Sequence, residues 1–447
     1  MNNVRNAEKG KSVDASMERR CNGRFIGLVA ATLLAAVWGR PAPAAAANLD
    51  EPWILDSNNW QEAKDLLPEP VIKRIRDGDY WFKVVPVDPE KFKKNYTPRF
   101  WDGTAKNAGK FDLDAKTCGL KDVATGKMPT QVIGYPFPTI DPKDPNAGCK
   151  IAQNFAAAGW QSTGQGATFT LDGVDRQGRF RRIKAFLHGT FYLGHDIPNP
   201  QDLRASAVSG ALEPQDVEGV STLALQHNDW ESQDSMWAYV PSSRRARRIN
   251  AASRSDPVAG LDIFADDLNC YAGKTEYYQW KLVGEGAILA AVVQPYPFPQ
   301  KQIGPTRFSV DIPYLKAAFE TPGAKGAPWL VVENLVLIPR PVWIVEGQSN
   351  DPYYNFGKVI MYFDKDMYRI YWKMVHNRAG EYFYTAMCGY HWSQSEDGYA
   401  AVTPNLVMGV NDKTDRAALG GRFLSQFIER RFDPKYFSLR TLTKLSD

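Results

Sequence analysis

Residues 359–387, VIMYFDKDMYRIYWKMVHNRAGEYFYTAM, hold three apolar and aromatic runs parted by two turn-forming groups, Asp364-Lys365-Asp366 and Asn377-Arg378-Ala379-Gly380. The runs Val359–Phe363, Tyr368–His376 and Glu381–Met387 are rich in aromatic and β-branched residues, which fit a pleated, half-buried surface. They predict an antiparallel meander. Successive side chains of a strand point to opposite faces, so Tyr368, Ile370, Trp372, Met374 and His376 share one face. The other carries Arg369, Tyr371, Lys373 and Val375, a mixed surface expected to tolerate water. The aromatic face is either an ordinary core face or the wall of a ligand cavity. Aromatics make up 12% of the chain, and Trp and Tyr supply apolar walls with polar tips.

Working outward, the same texture recurs on both sides of the meander. Ala167–Val174, a turn at Asp175-Arg176-Gln177-Gly178 and Arg179–His188 predict a β-hairpin. Further strands are expected at Val220–His227, Met236–Val240, Tyr277–Val283, Leu330–Leu337 and Val342–Glu346. Stripes like that of Trp372 recur as Tyr278, Trp280 and Leu282, and as Trp237 with Tyr239; with Trp343 and Tyr362 these are the candidate cavity residues. Helical patterns are confined to Trp60–Leu67, Pro70–Arg76, Ile312–Phe319 and Asp415–Arg430, the last with acid at its start and Arg430 and Arg431 at its end. The expected fold class is mainly β (α+β), a large curved antiparallel sheet carrying a few helices. Its expected divisions are 1–47, a leader; 48–150, an irregular N-terminal wrap with short helices; and 151–447, the sheet domain with a C-terminal helix.

The leader shows three zones. Arg19, Arg20 and Arg24 precede the apolar run Phe25 to Trp38, and small residues lead to Ala47. That is the layout of a secretory signal peptide, and the 14-residue run falls short of the roughly 20 needed for a permanent span. Cleavage is expected after Ala47 or slightly earlier; Cys21 precedes the run and leaves with it. The first 47 residues hold seven of the 54 Lys/Arg and three of the 50 Asp/Glu, so the remainder carries no net charge. A neutral domain has no global field for nucleic acid. No later apolar stretch is long enough to cross a bilayer. Four cysteines remain, an even number suited to an oxidising compartment. They allow three pairings, of which loop position favours Cys118 with Cys149 and Cys270 with Cys388.

No Gly-x-Ser-x-Gly, His-Glu-x-x-His, phosphate loop or dinucleotide fingerprint is present, which argues against an enzyme. His188, His195, His227, His376 and His391 lack metal-ligand spacing and read as structural or surface residues, so neither metal nor cofactor is expected. Asp266-Asp267 and Asp364/Asp366 read as solvated turn carboxylates. The most concentrated charge is Arg244, Arg245, Arg247 and Arg248. It reads either as a charged edge strand that blocks unwanted pairing or as a site for an anionic headgroup or acidic partner.

That run completes a longer pattern. Residues 233–249, QDSMWAYVPSSRRARRI, resemble the signature D-x-x-W-x-Y-x-P-x-x-R-R-x-R-R of a bacterial exported family catalogued as domain of unknown function 1329. Gly134-Tyr135-Pro136-Phe137-Pro138 with Ala152-Gln153-Asn154, the run Tyr277 to Gly284, and Arg340 to Glu346 before Tyr362-Phe363-Asp364 agree with it. The family resembles the LolA/LolB-like lipoprotein carriers, whose fold is an incomplete, strongly curved β-barrel closed by helices. The resemblance implies a periplasmic carrier or binding protein for a lipid or lipid-like ligand in a Gram-negative bacterium, soluble or at the outer membrane. It further implies an inner-membrane exporter of the resistance-nodulation-division type and an outer-membrane protein as partners. Other readings of the same sheet are an outer-membrane assembly or docking factor without cargo, or a hydrolase of an apolar substrate.

Overall fold

Alternating burial along the strands of residues 164–227 and near-continuous burial along those of 382–411 set the architecture in the computed structural model, which describes residues 49–446. The expected leader and its cleavage point lie outside the described residues. The N-terminal part is short elements: β1 (Trp53–Leu55), α1 (Glu69–Arg76), β2 (Phe82–Val84), α2 (Pro89–Lys93), α3 (Pro98–Lys106), β3 (Phe111–Leu113), β4 (Leu120–Asp122) and α4 (Ala147–Gly159). Proline opens α2 and α3, where its missing N–H costs nothing, and Asp88 and Thr97 cap them by accepting from backbone N–H groups of the first turn. The expected helix at Pro70–Arg76 is α1, burying Val71, Ile72 and Ile75; that at Trp60–Leu67 is a single 3-10 turn, Trp60–Ala63. Helix α4 runs across the division placed at residue 150 and packs on β11 (Tyr278–Val292). Gly148 allows that approach: a Cβ there would lie 2.7 Å from the Trp280 backbone.

The sheet begins with a meander of β5 (Gly164–Asp175), β6 (Phe180–Phe191), β7 (Leu203–Glu213), β8 (Ser221–His227), β9 (Ser235–Val240) and β10 (Arg245–Ile249), each antiparallel to the one before. After β11 come β12 (Phe298–Gln302), β13 (Arg307–Val310), β14 (Lys316–Ala317), β15 (Val331–Glu333) and β16 (Val336–Ser349). Next are β17 (Phe356–Asp364), β18 (Ile370–Asn377), β19 (Tyr382–Gln394), β20 (Ala400–Asn411), β21 (Arg416–Gly421), β22 (Phe423–Glu429) and helix α5 (Leu439–Ser446). The meander read from residues 359–387 is β17–β18–β19. Pairing runs β19–β20–β21–β5–β22–β13–β12 and returns to β19, closing a ring that the resemblance left incomplete. Strands β6–β10 extend from β5 beyond that ring as a curved open sheet. The fold is mainly β with a few covering helices. Among the described residues no helix is long and apolar enough to cross a membrane.

Several expectations are corrected. Asp415–Arg430 is not a helix but β21 and β22: Gly421 and Arg422 take positive φ values of 89° and 39°, and the two halves pair with β5. The C-terminal helix lies later, at α5. Ile312–Phe319 is not a helix: it is irregular through Leu315, with Pro313 inside it, then the two-residue strand β14 and the short turn Ala318–Glu320. The face of Arg369, Tyr371, Lys373 and Val375 meets no water, all four being essentially inaccessible. Lys373 Nζ pairs with Asp267, and Arg369 Nη2 donates to the Phe155 carbonyl at 3.0 Å. Asp266, Asp267 and Asp364 are fully buried rather than solvated, because Arg254, Lys373 and Arg340 respectively supply compensating charge.

Candidate functional site

Register places one continuous face across β6–β10. His188, Val208, Leu223, Trp237 and Arg248 form one cross-strand rung, and Phe186, Gly210, Ser221, Tyr239 and Ala246 the next. Its apolar members belong to a second hydrophobic cluster, separate from the main core, with Leu203 and Leu225. The chain that leaves β22 returns over this face. Phe432, Phe437 and Leu442 join the cluster, Phe427 and Tyr436 pack against it, and α5 packs on β7, β8 and β9.

Where β22 meets this segment a cavity of about 490 Å³ opens, lined by His188, Arg307, Phe427, Glu429, Arg431, Phe432, Asp433 and Tyr436. The His188, Phe427, Phe432 and Tyr436 rings form one contiguous wall: His188 to Phe427 5.4 Å, Phe427 to Phe432 6.4 Å, and Phe432 stacked on Tyr436 at 5.5 Å. Glycine makes room for it, since a Cβ at Gly164 would strike Phe432, and one at Gly166 would strike Phe427 and His188. The Arg307 guanidinium lies 4.5 Å from the Phe427 ring centre and donates through Nε to Glu429 at 3.0 Å. His188 Nδ1 is 2.6 Å from the Tyr436 hydroxyl. Burial first, and Arg307 second, lower the His188 imidazole to about 4, so it is neutral at pH 7. The site thus offers an apolar wall, a neutral polar tip and a charged rim that includes the Arg307–Glu429 pair.

The seven aromatic residues expected to line one cavity are divided by the fold. Trp237 and Tyr239 lie on the face just described. Tyr278, Trp280, Trp343 and Trp372 pack into the main core, with half-buried Tyr362 against it. Tyr278 stacks on Trp280 at 5.2 Å, Trp280 Nε1 donates to the Thr275 carbonyl at 2.7 Å, and Trp372 Nε1 donates to that of Leu289 at 2.9 Å. Beside Trp372 there is a void of only about 10 Å³, no more than one water would need. These residues pack the main core and do not line the larger cavity.

Sequence reasoning missed His188, Arg307, Phe427, Phe432 and Tyr436. The one available signal was the aromatic spacing of residues 432–437, FDPKYF, after the last strand. The four arginines fall on β10 and the turn before it, all exposed. Cys118 is joined to Cys149, and Cys270 to Cys388. Among the described residues no group of three His, Cys, Asp or Glu is placed to hold a metal.

Three motif residues outside the 233–249 run hold the fold through internal hydrogen bonds. Asn154 clamps Phe137 by accepting from its N–H at 3.0 Å and donating to its carbonyl at 2.8 Å. Gln153 Nε2 donates to the Cys118 carbonyl and to Thr275 Oγ1, both at 2.7 Å. Arg340 grips Asp364 through Nε at 2.7 Å and Nη2 at 3.1 Å.

Comparison with solved structures finds an outer membrane lipoprotein-sorting protein domain from Vibrio parahaemolyticus at 16% identity and TM-score 0.46, covering 67% of this chain and all of that one. A DUF1329 family protein from Desulfovibrio piger matches at 13% identity and TM-score 0.45, with the same coverage. A LolA superfamily protein from Nitrosomonas europaea matches at 11% identity and TM-score 0.39, covering 65% of this chain and 98% of that one. No curated protein sequence matches. The family model for proteins of unknown function DUF1329 matches residues 54–413, and the chain, with its Trp237-to-Arg248 signature on adjacent strands, belongs to that family.

Proposed function

We propose that the protein is a carrier or binding protein for a lipid or lipid-like hydrophobic ligand, held in the cavity between His188 of β6, Phe427 of β22 and the C-terminal segment. The observation that carries this reading is an open, ring-walled cavity of about 490 Å³ bordering the apolar cluster on β6–β9. That size lies within the usual range for ligand pockets, about 300–1,000 Å³. Each methylene removed from water is worth about 0.8 kcal/mol, so one acyl chain supplies on the order of 10 kcal/mol before the costs of binding. No covalent chemistry is needed. His188 suits orientation of a ligand's polar end better than general-base catalysis, because at about 4 it is too weak a base for work near neutrality.

The leader layout and the two disulfides support a periplasmic location. The family resemblance adds an inner-membrane exporter and an outer-membrane protein as partners. The reading is tested by Phe427→Glu, which puts a charge in the aromatic wall of the cavity. Uptake of a fluorescent fatty acid should fall at least tenfold while the fold survives, and uptake equal to wild type would contradict the assignment.

A further inference from the structure

We propose that the β9–β10 hairpin is a docking surface for an anionic phospholipid membrane. Arg244, Arg245, Arg247 and Arg248 are all exposed, and none forms an ion pair among the described residues. Of the acids at the neighbouring β7–β8 turn, Asp216 pairs with Arg181 at 2.7 Å and Glu213 with Lys184 at 3.3 Å, while exposed Glu218 forms no ion pair with the four arginines among the described residues. Four uncompensated guanidinium groups on five consecutive residues are a strong local field on a chain whose remainder beyond the leader is neutral.

The geometry favours a membrane over a folded protein partner. Strand β10 pairs only with β9 among the described residues, so it is an edge. The register sets Arg248 on the face of Trp237, opposite it, while Arg245 and Arg247 point to the other face, opposite Val240 and Ala238. Arg244 stands at the tip with φ 48° and ψ 34°, a left-handed conformation that glycine or asparagine would adopt at less cost. A partner that reads one face of the strand meets at most two of these charges. A sheet of phosphates approached edge-on meets all four, and guanidinium matches phosphate oxygens bidentately. Beside the tip, Val240 is 41% exposed and Pro241 opens the turn, which gives the hairpin a small apolar end between its charges. The hairpin borders the face that carries Trp237 and Tyr239, so docking would bring that face to the lipid surface. The inference does not depend on the carrier reading, because it concerns the surface and not the cavity.

The test is co-flotation of the protein recovered from the periplasmic fraction with vesicles of phosphatidylcholine alone, or of phosphatidylglycerol mixed with phosphatidylcholine. Wild type should bind the anionic vesicles at low salt and release them at about 0.5 M salt, where charges are screened within a few ångströms. Replacing all four residues (Arg244→Gln, Arg245→Gln, Arg247→Gln, Arg248→Gln) should weaken binding by about fivefold per arginine, on the order of several hundredfold together. The corresponding four-lysine variant should bind within about tenfold of wild type, since a membrane reads charge first. Equal binding of wild type to neutral and anionic vesicles would overturn the proposal. So would undiminished binding of a folded glutamine variant, or binding to polyglutamate without binding to vesicles, which would assign the surface to an acidic protein. Should the glutamine variant not fold, the salt dependence of wild type and the lysine variant decide the matter.

Discussion

At Asp267 the carboxylate is wholly withdrawn from solvent and held by the Lys373 ammonium, the Tyr384 hydroxyl at 2.6 Å and the Phe264 backbone N–H at 2.9 Å. An adjacent network joins Arg254 to Asp266 and Asp234, at 3.4 and 3.5 Å. Removing one partner of such a pair strands the other charge. Asp267→Asn is therefore expected to cost about 3–5 kcal/mol in urea unfolding, while Asp267→Leu combined with Lys373→Met should cost much less. Histidine sets the acid limit. Burial is the main cause lowering His188, His195 and His391 to about 4 from an ordinary 6.5. Each folded value lies below the unfolded one, so the unfolded chain binds more protons between those limits. Stability from this source is full above about pH 6.5 and falls as pH drops toward 4, by on the order of 1 kcal/mol per histidine per pH unit. Melting temperatures across that range check it, and a flat profile would show that the imidazoles are not buried as described.

Among the elements, the hairpin β5–β6 and the meander β17–β19 were legible because turn residues and alternating aromatics coincide there. The run at residues 416–429, RAALGGRFLSQFIE, was not. Its apolar residues satisfy a helical period nearly as well as a strand period, and only pairing with β20 and β5 decides between them. The ion pairs of Asp266, Asp267 and Asp364 were hidden for a related reason. Asp266 and Asp267 meet Arg254 and Lys373, which are distant or on another element, so local turn chemistry misjudged them. The disulfides act on the same scale. Cys270–Cys388 ties the loop before β11 to β19 across a separation of 118 residues, and Cys118–Cys149 spans 31. Loop-closure entropy assigns about 5 kcal/mol to the first and about 4 to the second. Replacing both cysteines of the longer loop by serine should lower the melting temperature more than doing so in the shorter; the reverse order would show that local packing around α4 dominates.

Across the whole molecule, the β-rich class and the family signature could be read from the sequence, but the site could be read only in part. The Trp237 and Tyr239 stripe reached the second cluster, whereas the equally aromatic Tyr278, Trp280 and Trp372 went to the main core. Strand alternation tells which residues share a face; it does not tell what lies opposite. The cavity wall is completed by Phe432 and Tyr436, which come from irregular chain after the last strand and carry no period to detect. The closed ring supplies rigidity, and β6–β10 beyond it supply the surface on which cargo and membrane are proposed to meet. The central claim is that the cavity bordering this surface holds a hydrophobic ligand. Mass spectrometry of organic extracts tests it most directly, using protein purified from a periplasmic fraction without detergent, beside an unrelated periplasmic control and the Phe427→Glu variant. The account predicts one lipid or lipid-like species near one equivalent in the wild type and its loss in the variant; a wild-type extract no richer than the control would contradict it.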